Sequence, residues 1–118
     1  MREEIDLELK DLDQFYGTEH YYNTWLNTLA TDGAKYLMDN GYAWLVTDAI
    51  SAIKIDPKLR NEEFLVIKLK LLKDGKAKMI IDDGNDNVLY EQIYEWTDAK
   101  KEVKLYFQNN VIFLSGEY

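Results

Sequence analysis

The sequence has 118 residues, of which 22 are acidic and 14 basic, for a formal charge of −8; 47% are hydrophobic, 14% are aromatic and none is cysteine. That length suits one domain with one core, and the apolar fraction predicts a packed interior. Disulfides, thiolate metal sites and a cysteine nucleophile are excluded, and the negative field disfavours free nucleic acid and anionic membranes while favouring a basic protein partner, although solubility alone accounts for the acidity of many proteins.

The first ten residues, MREEIDLELK, place acids where a signal peptide needs a basic start and an apolar run. No later stretch approaches about 18 continuous apolar residues. A soluble, cytoplasmic protein that does not engage membranes is expected.

From Glu4 to Tyr16, the apolar residues Ile5, Leu9, Leu12 and Tyr16 recur at i, i+4, i+7 and i+11, and Gly17 offers a stop, so a short amphipathic helix is predicted. Tyr21, Tyr22, Trp25, Leu26 and Leu29 also fit a helical stripe over Thr18–Leu29, although the tyrosine pair equally suits the start of a strand. Thr31 and Asp32 supply an N-cap for a third helix through Lys35, Tyr36, Leu37 and Met38, which Gly41 ends in a left-handed C-cap. Tyr42, Leu45, Val46, Ala49, Ile50 and Ile53 then form one continuous helix face, with Asp48 on or near the polar side and Pro57, the one proline, at or just past the end.

Beyond Pro57 the pattern turns to strands, roughly Glu63–Leu72, Lys76–Asp82, Val88–Glu95, Glu102–Gln108 and Val111–Ser115. A two-residue Asp74-Gly75 loop mixes lysines with apolar side chains on one face. A three-residue loop, Lys73 to Gly75, instead pairs Leu71 with Ala77, Leu69 with Met79 and Ile67 with Ile81. An Asn109-Asn110 turn pairs Phe107 with Ile112 and Leu105 with Leu114. Both registers give one buried face. The expected architecture is therefore α+β, a single domain over 1–118 with N-terminal helices (about 1–57) packed on one face of a roughly five-stranded antiparallel sheet (about 63–115).

Motifs for chemistry are sparse. His20 is the one histidine, and beside Glu19, Tyr21 and Tyr22 it allows a proton-transfer cluster, while a packed or surface histidine is the ordinary alternative. Ser51 and Ser115 lie in no nucleophile motif, and no glycine-rich phosphate cradle occurs. Asp82, Asp83, Gly84, Asn85, Asp86 and Asn87 are oxygen-rich enough for calcium, but their order is wrong for an EF-hand and suits a turn between strands. Carboxylate pairs such as Asp48 with Asp39, or Glu91 with Glu95, have nothing in the sequence to bring them together. No catalytic residue, metal or cofactor is assigned.

The acidity is uneven. Through Glu63 there are 13 acidic and 6 basic residues, and beyond it 9 and 8. Lys68, Lys70, Lys76 and Lys78 share the outward face of the first hairpin, which reads either as an anion-binding ribbon or as lysine protection of a strand. Tyr106 and Phe113, and separately Tyr21, Tyr22 and Trp25, are candidate aromatic contacts, since exposed aromatics beside charge suit a protein interface.

The blocks Phe15-Tyr16-Gly17-Thr18-Glu19-His20-Tyr21-Tyr22, Thr31-Asp32-Gly33-Ala34-Lys35-Tyr36-Leu37 and Ala43-Trp44-Leu45-Val46-Thr47-Asp48-Ala49-Ile50 resemble an uncharacterised family, a domain of unknown function, of small proteins from bacteria, plasmids and phages. That resemblance implies no catalytic residues. The setting it implies is similar in kind to that of anti-CRISPR proteins, small acidic inhibitors of Cas effectors. The expected function is thus a non-catalytic binding protein of anti-CRISPR type, which engages a Cas effector or its guide RNA complex through Lys68, Lys70, Lys76, Lys78, Tyr21, Tyr22, Trp25 and Tyr106. The alternatives are a housekeeping interaction module and a small enzyme using His20.

Overall fold

A computed structural model describes residues 20–114. The expected helix from Glu4 to Tyr16 lies outside the described residues. Seven strands form one sheet: β1 (Tyr22–Asn23), β2 (Leu29–Ala30), β3 (Phe64–Leu71), β4 (Ala77–Asp82), β5 (Val88–Tyr94), β6 (Val103–Gln108) and β7 (Val111–Leu114). Their order is β1-β2-β7-β6-β3-β4-β5, antiparallel throughout except for the β2–β7 pair. Among the described residues three α-helices accompany them, α1 (Asp32–Leu37), α2 (Ala43–Ile55) and α3 (Pro57–Arg60).

Local chemistry explains most of these elements. Thr31 caps α1, its hydroxyl accepting from the Ala34 N–H at 3.3 Å. Gly41, at φ 106°, breaks the chain between α1 and α2 in a conformation that a side chain would strain. The Asn40 side-chain amide donates to the Tyr36 carbonyl there, and the Trp44 indole N–H to that of Gly41. Asp56 ends α2 in an extended conformation and at once caps α3, accepting from the Lys58 N–H with Pro57 at the first helical position.

The two hairpin registers form as the turn chemistry requires. Leu71, Leu69 and Ile67 face Ala77, Met79 and Ile81, with Asp74 and Gly75 both at positive φ. Phe107 faces Ile112 and Leu105 faces Leu114, with Asn109 and Asn110 at φ 56° and 64°, the double left-handed geometry that favours asparagine. The α2 stripe of Leu45, Val46, Ala49, Ile50 and Ile53 is buried against the inner sheet face of Leu65, Ile67, Leu69, Met79, Ile81 and Leu105. Removing this apolar surface from water is the main favourable term in folding.

Two expectations are corrected. The helix predicted over Thr18–Leu29 is, in its described part, β1, a tight turn at Trp25–Asn27 and β2. Leu26 and Asn27 take left-handed backbone angles, and the Thr24 hydroxyl and N–H both donate to the Thr28 carbonyl, closing a turn where a helix would continue. The sheet therefore exceeds five strands, and part of it comes from the first half of the chain. It includes one parallel pair, in which the Leu29 N–H donates to the Asn110 carbonyl and the Thr31 N–H to that of Ile112.

Candidate functional site

A concave surface lies along β5, an edge strand of the sheet among the described residues, where α2 crosses its inner side. Strand alternation turns Tyr90, Gln92 and Tyr94 inward while Glu91 and Ile93 face the opposite side, in register with Ile81, Met79 and Ala77 of β4. Helical spacing sets Trp44, Asp48, Ser51 and Ile55 along the matching flank of α2. Trp44 meets the edge of the Tyr94 ring at 4.9 Å. Asp48 accepts from the Tyr94 hydroxyl at 2.8 Å and from the Gln92 amide at 3.4 Å, and the Tyr90 hydroxyl donates to Gln92. Burial first, and then the bond to Asp48, holds the Tyr94 phenol far above its ordinary value.

Two depressions meet at Asp48. One, of about 430 Å³, is lined by Asp48, Ser51, Ile55, Pro57, Tyr90 and Gln92. The other, of about 250 Å³, is lined by Trp44, Asp48, Tyr94 and Trp96. Together they make a groove with a carboxylate at its centre and exposed apolar lips: Ile55 is 68% and Trp96 74% accessible. Trp25 borders it, donating its indole N–H to Ser51 at 2.6 Å, and is itself exposed beside Leu26. Large apolar side chains around a few convergent polar groups are the usual make-up of a recognition surface.

A larger cleft, of about 610 Å³, lies beside the Asn109-Asn110 turn between Lys54, Arg60, Glu62 and Glu63. It carries two basic and two acidic side chains, and Lys54 is engaged by Asn110. It lacks the uniform charge and exposed apolar lips of the first groove.

The residues singled out from the sequence fall in three places. Lys68, Lys70 and Lys78 do share the sheet face away from the helices, with Lys70 opposite Lys78 and Lys68 opposite Lys104. Each is matched by a carboxylate: Lys68 with Asp82 at 3.1 Å, Lys70 with Glu102 at 3.9 Å and Lys78 with Glu91 at 3.8 Å, while Lys76, just before β4, pairs with Glu95 at 3.6 Å. Tyr106 is on the same face, half-buried between Phe64 and Phe113 at 5.2 and 5.7 Å, and Phe113 is buried. Tyr22 lies in β1 beneath the Lys35 ammonium, and Tyr21 is exposed next to it. Among the eight candidates, Trp25 alone borders the groove.

His20 is exposed, with its ring 6.4 Å from that of Tyr22. In the Asp82–Asn87 turn, Asp83 accepts from the Asn85 and Asn87 backbones and from the Asn87 side chain, and Asp82 accepts from Gly84 and pairs with Lys68. Those oxygens close the turn. Among the described residues no group of three or more His, Cys, Asp or Glu side chains is placed to hold a metal ion. Asp39 pairs with Lys35 while Asp48 bonds Tyr94, so that carboxylate pair has separate partners. No helix of the described residues is long and apolar enough to cross a membrane.

Charge sharpens the contrast. Residues 20–114 hold 14 acidic and 12 basic side chains, a net of only −2, whereas residues 1–19 hold seven and two. The described residues are thus nearly neutral, and their local pattern counts for more than their total.

The match that decides kinship spans almost the whole chain, residues 6–118. The chain belongs to a family of unknown function, DUF6876. No curated protein and no solved structure matches it. Membership in DUF6876 therefore brings no catalytic or binding residues to this chain, and the groove stands on its own geometry. Sequence reasoning missed it because Asp48 reads as one polar position on an amphipathic helix, and the alternation Tyr90, Gln92, Tyr94, Trp96 reads as an ordinary strand, in which tyrosine and tryptophan are common.

Proposed function

We propose that this protein acts without catalysis, by docking a basic protein segment in the groove between α2 and β5. The observation that carries this reading is the Asp48 carboxylate, half-buried where the two depressions meet and flanked by the exposed Ile55 and Trp96. A half-buried carboxylate beside apolar surface attracts a lysine or arginine more strongly than the same charge in open water. Aromatic and aliphatic lips supply the buried area that an interface needs.

The narrower form of the reading is an anti-CRISPR-type inhibitor, whose basic partner is a Cas effector or its guide RNA complex in a bacterial or phage setting. What supports it is the small acidic chain and the resemblance of its sequence blocks to proteins of mobile elements. The lysines of the outer sheet face are less suited to phosphate contact than their number suggests, since carboxylates already neutralise them.

The test is affinity capture with the wild-type chain and with Asp48→Lys from cells carrying a CRISPR system, followed by a DNA-cleavage assay. The expected result is a basic partner bound by the wild type and lost with Asp48→Lys. Capture that survives the charge reversal overturns docking in the groove. A captured partner unrelated to CRISPR, with cleavage unaffected, leaves an interaction module and removes the inhibitor reading.

A further inference from the structure

β5 has a neighbour on one side only among the described residues, so one row of its backbone N–H and C=O groups faces outward as a template for another strand. The groove lies directly beneath that edge. Resting on the reading above, we infer that the partner segment binds as an extended strand added antiparallel to β5, sending a lysine or arginine to Asp48 and apolar side chains toward Ile55.

The register follows from what faces what. Trp44 meets Tyr94, Asp48 meets Tyr94 and Gln92, and Ser51 through Pro57 share their depression with Gln92 and Tyr90. α2 therefore runs opposite to β5 along the groove. A strand antiparallel to β5 runs with α2, reaching Trp96 and Asp48 first and Ile55 and Pro57 last.

Length agrees. From Asp48 to Ile55 the helix advances about 10 Å at 1.5 Å per residue. Alternate positions i, i+2 and i+4 of an extended strand span about 13 Å. Three inward side chains thus cover the groove: a basic one at i opposite Asp48, and apolar ones at i+2 and i+4 against Ala52, Ile55 and Pro57. Main-chain bonds to the edge supply affinity in such strand addition, and the pockets for alternate side chains supply specificity.

Charge chooses the occupant. Val88–Tyr94, the strand a second copy would bring to this edge, has no basic residue and carries Glu91, with Glu95 just beyond. It has nothing to offer Asp48 or Asp56. A basic strand from a different protein complements both.

The experiment uses the full-length chain, labelled for NMR, and short synthetic peptides of alternating pattern with arginine at the first inward position. Binding is expected to slow hydrogen exchange at every second amide of Val88–Tyr94. Replacing the arginine by glutamine is expected to weaken binding about tenfold in the wild type and to have little effect in Asp48→Asn, the signature of a direct pair. Peptides that shift groove resonances without protecting β5 amides overturn strand addition while leaving groove docking intact. So does failure of every peptide to bind at millimolar concentration when Asp48→Lys still abolishes partner capture. Protection of the β5 edge in the peptide-free protein, with a dimer mass by sedimentation, assigns the edge to a second copy and overturns the inference.

Discussion

The Tyr94 hydroxyl donates to the Asp48 carboxylate at 2.8 Å across 46 residues of sequence, tying the edge strand to the main helix. That bond keeps the carboxylate oriented at the meeting point of two depressions, and it makes the protonation of a tyrosine part of the fold.

The proton on Tyr94 is held more tightly in the folded chain than its ordinary value of 10.0 implies, through burial first and the Asp48 bond second. A group whose value is raised on folding stabilises fully below its unfolded value, and the contribution is lost as the pH climbs toward the folded one. Wild type is therefore expected to melt higher than Tyr94→Phe at about pH 9, with the gap closing as the pH passes about 10, where the unfolded phenol ionises. Melting curves of both proteins across that range check it; a gap independent of pH would refute it.

Lys68 and Lys70 look alike in sequence but are expected to behave differently. The Asp82 side chain paired with Lys68 is 4% exposed, whereas Glu102, the partner of Lys70, is 52% exposed. Lys68→Met strands a buried carboxylate and is expected to cost about 2 kcal/mol in urea unfolding. Lys70→Met is expected to cost less than about 0.5 kcal/mol. Equal losses would show that the burial of Asp82 does not matter.

Thr28 is fully buried, and its hydroxyl has no hydrogen-bond partner among the described residues. Its backbone does the structural work, accepting from Thr24 and donating to the Trp25 carbonyl. Thr28→Val keeps the shape and removes the unsatisfied group, so a gain of about 1 kcal/mol is expected, read as a higher urea midpoint at unchanged slope.

Asn109 opens the last hairpin turn at φ 56°, where a β-branched residue is strained. Asn109→Val is expected to cost about 1 to 2 kcal/mol and Asn109→Gly close to nothing. Thermal unfolding of the two variants makes the comparison.

The Asp83 carboxyl is held below its ordinary value, first by the Asn87 side-chain amide and then by the Asn85 backbone N–H. NMR titration should find it protonating later than a free aspartate as the pH falls, and Asn87→Ala should move it back up. Because these bonds already occupy the carboxylate, added calcium is expected to leave the amide shifts of the turn unchanged.

Much of the fold was legible because it rests on neighbours in sequence. The Thr31 cap, the Gly41 break and the two hairpin registers each follow from side chains within a few residues of the backbone they control. The segment from Tyr21 to Leu29 misled for the opposite reason: its apolar spacing fits a helix, but Leu29 and Ala30 are claimed by β7, more than 80 residues away. Pairing of that kind is decided by the completed sheet and is invisible to a local pattern.

The groove was illegible on the same grounds. The sequence by itself determined an acidic, cysteine-free α+β chain with helix and hairpin boundaries set by caps and turns, because short-range sterics and hydrogen bonds act wherever those residues occur. Only the tertiary structure decided that the hairpin lysines Lys68, Lys70, Lys76 and Lys78 are paired with Asp82, Glu102, Glu95 and Glu91, and that Asp48 meets Tyr94 beneath an edge that is unpaired among the described residues. Those relationships depend on which distant surfaces the core brings together, and charge and burial acquire their meaning there.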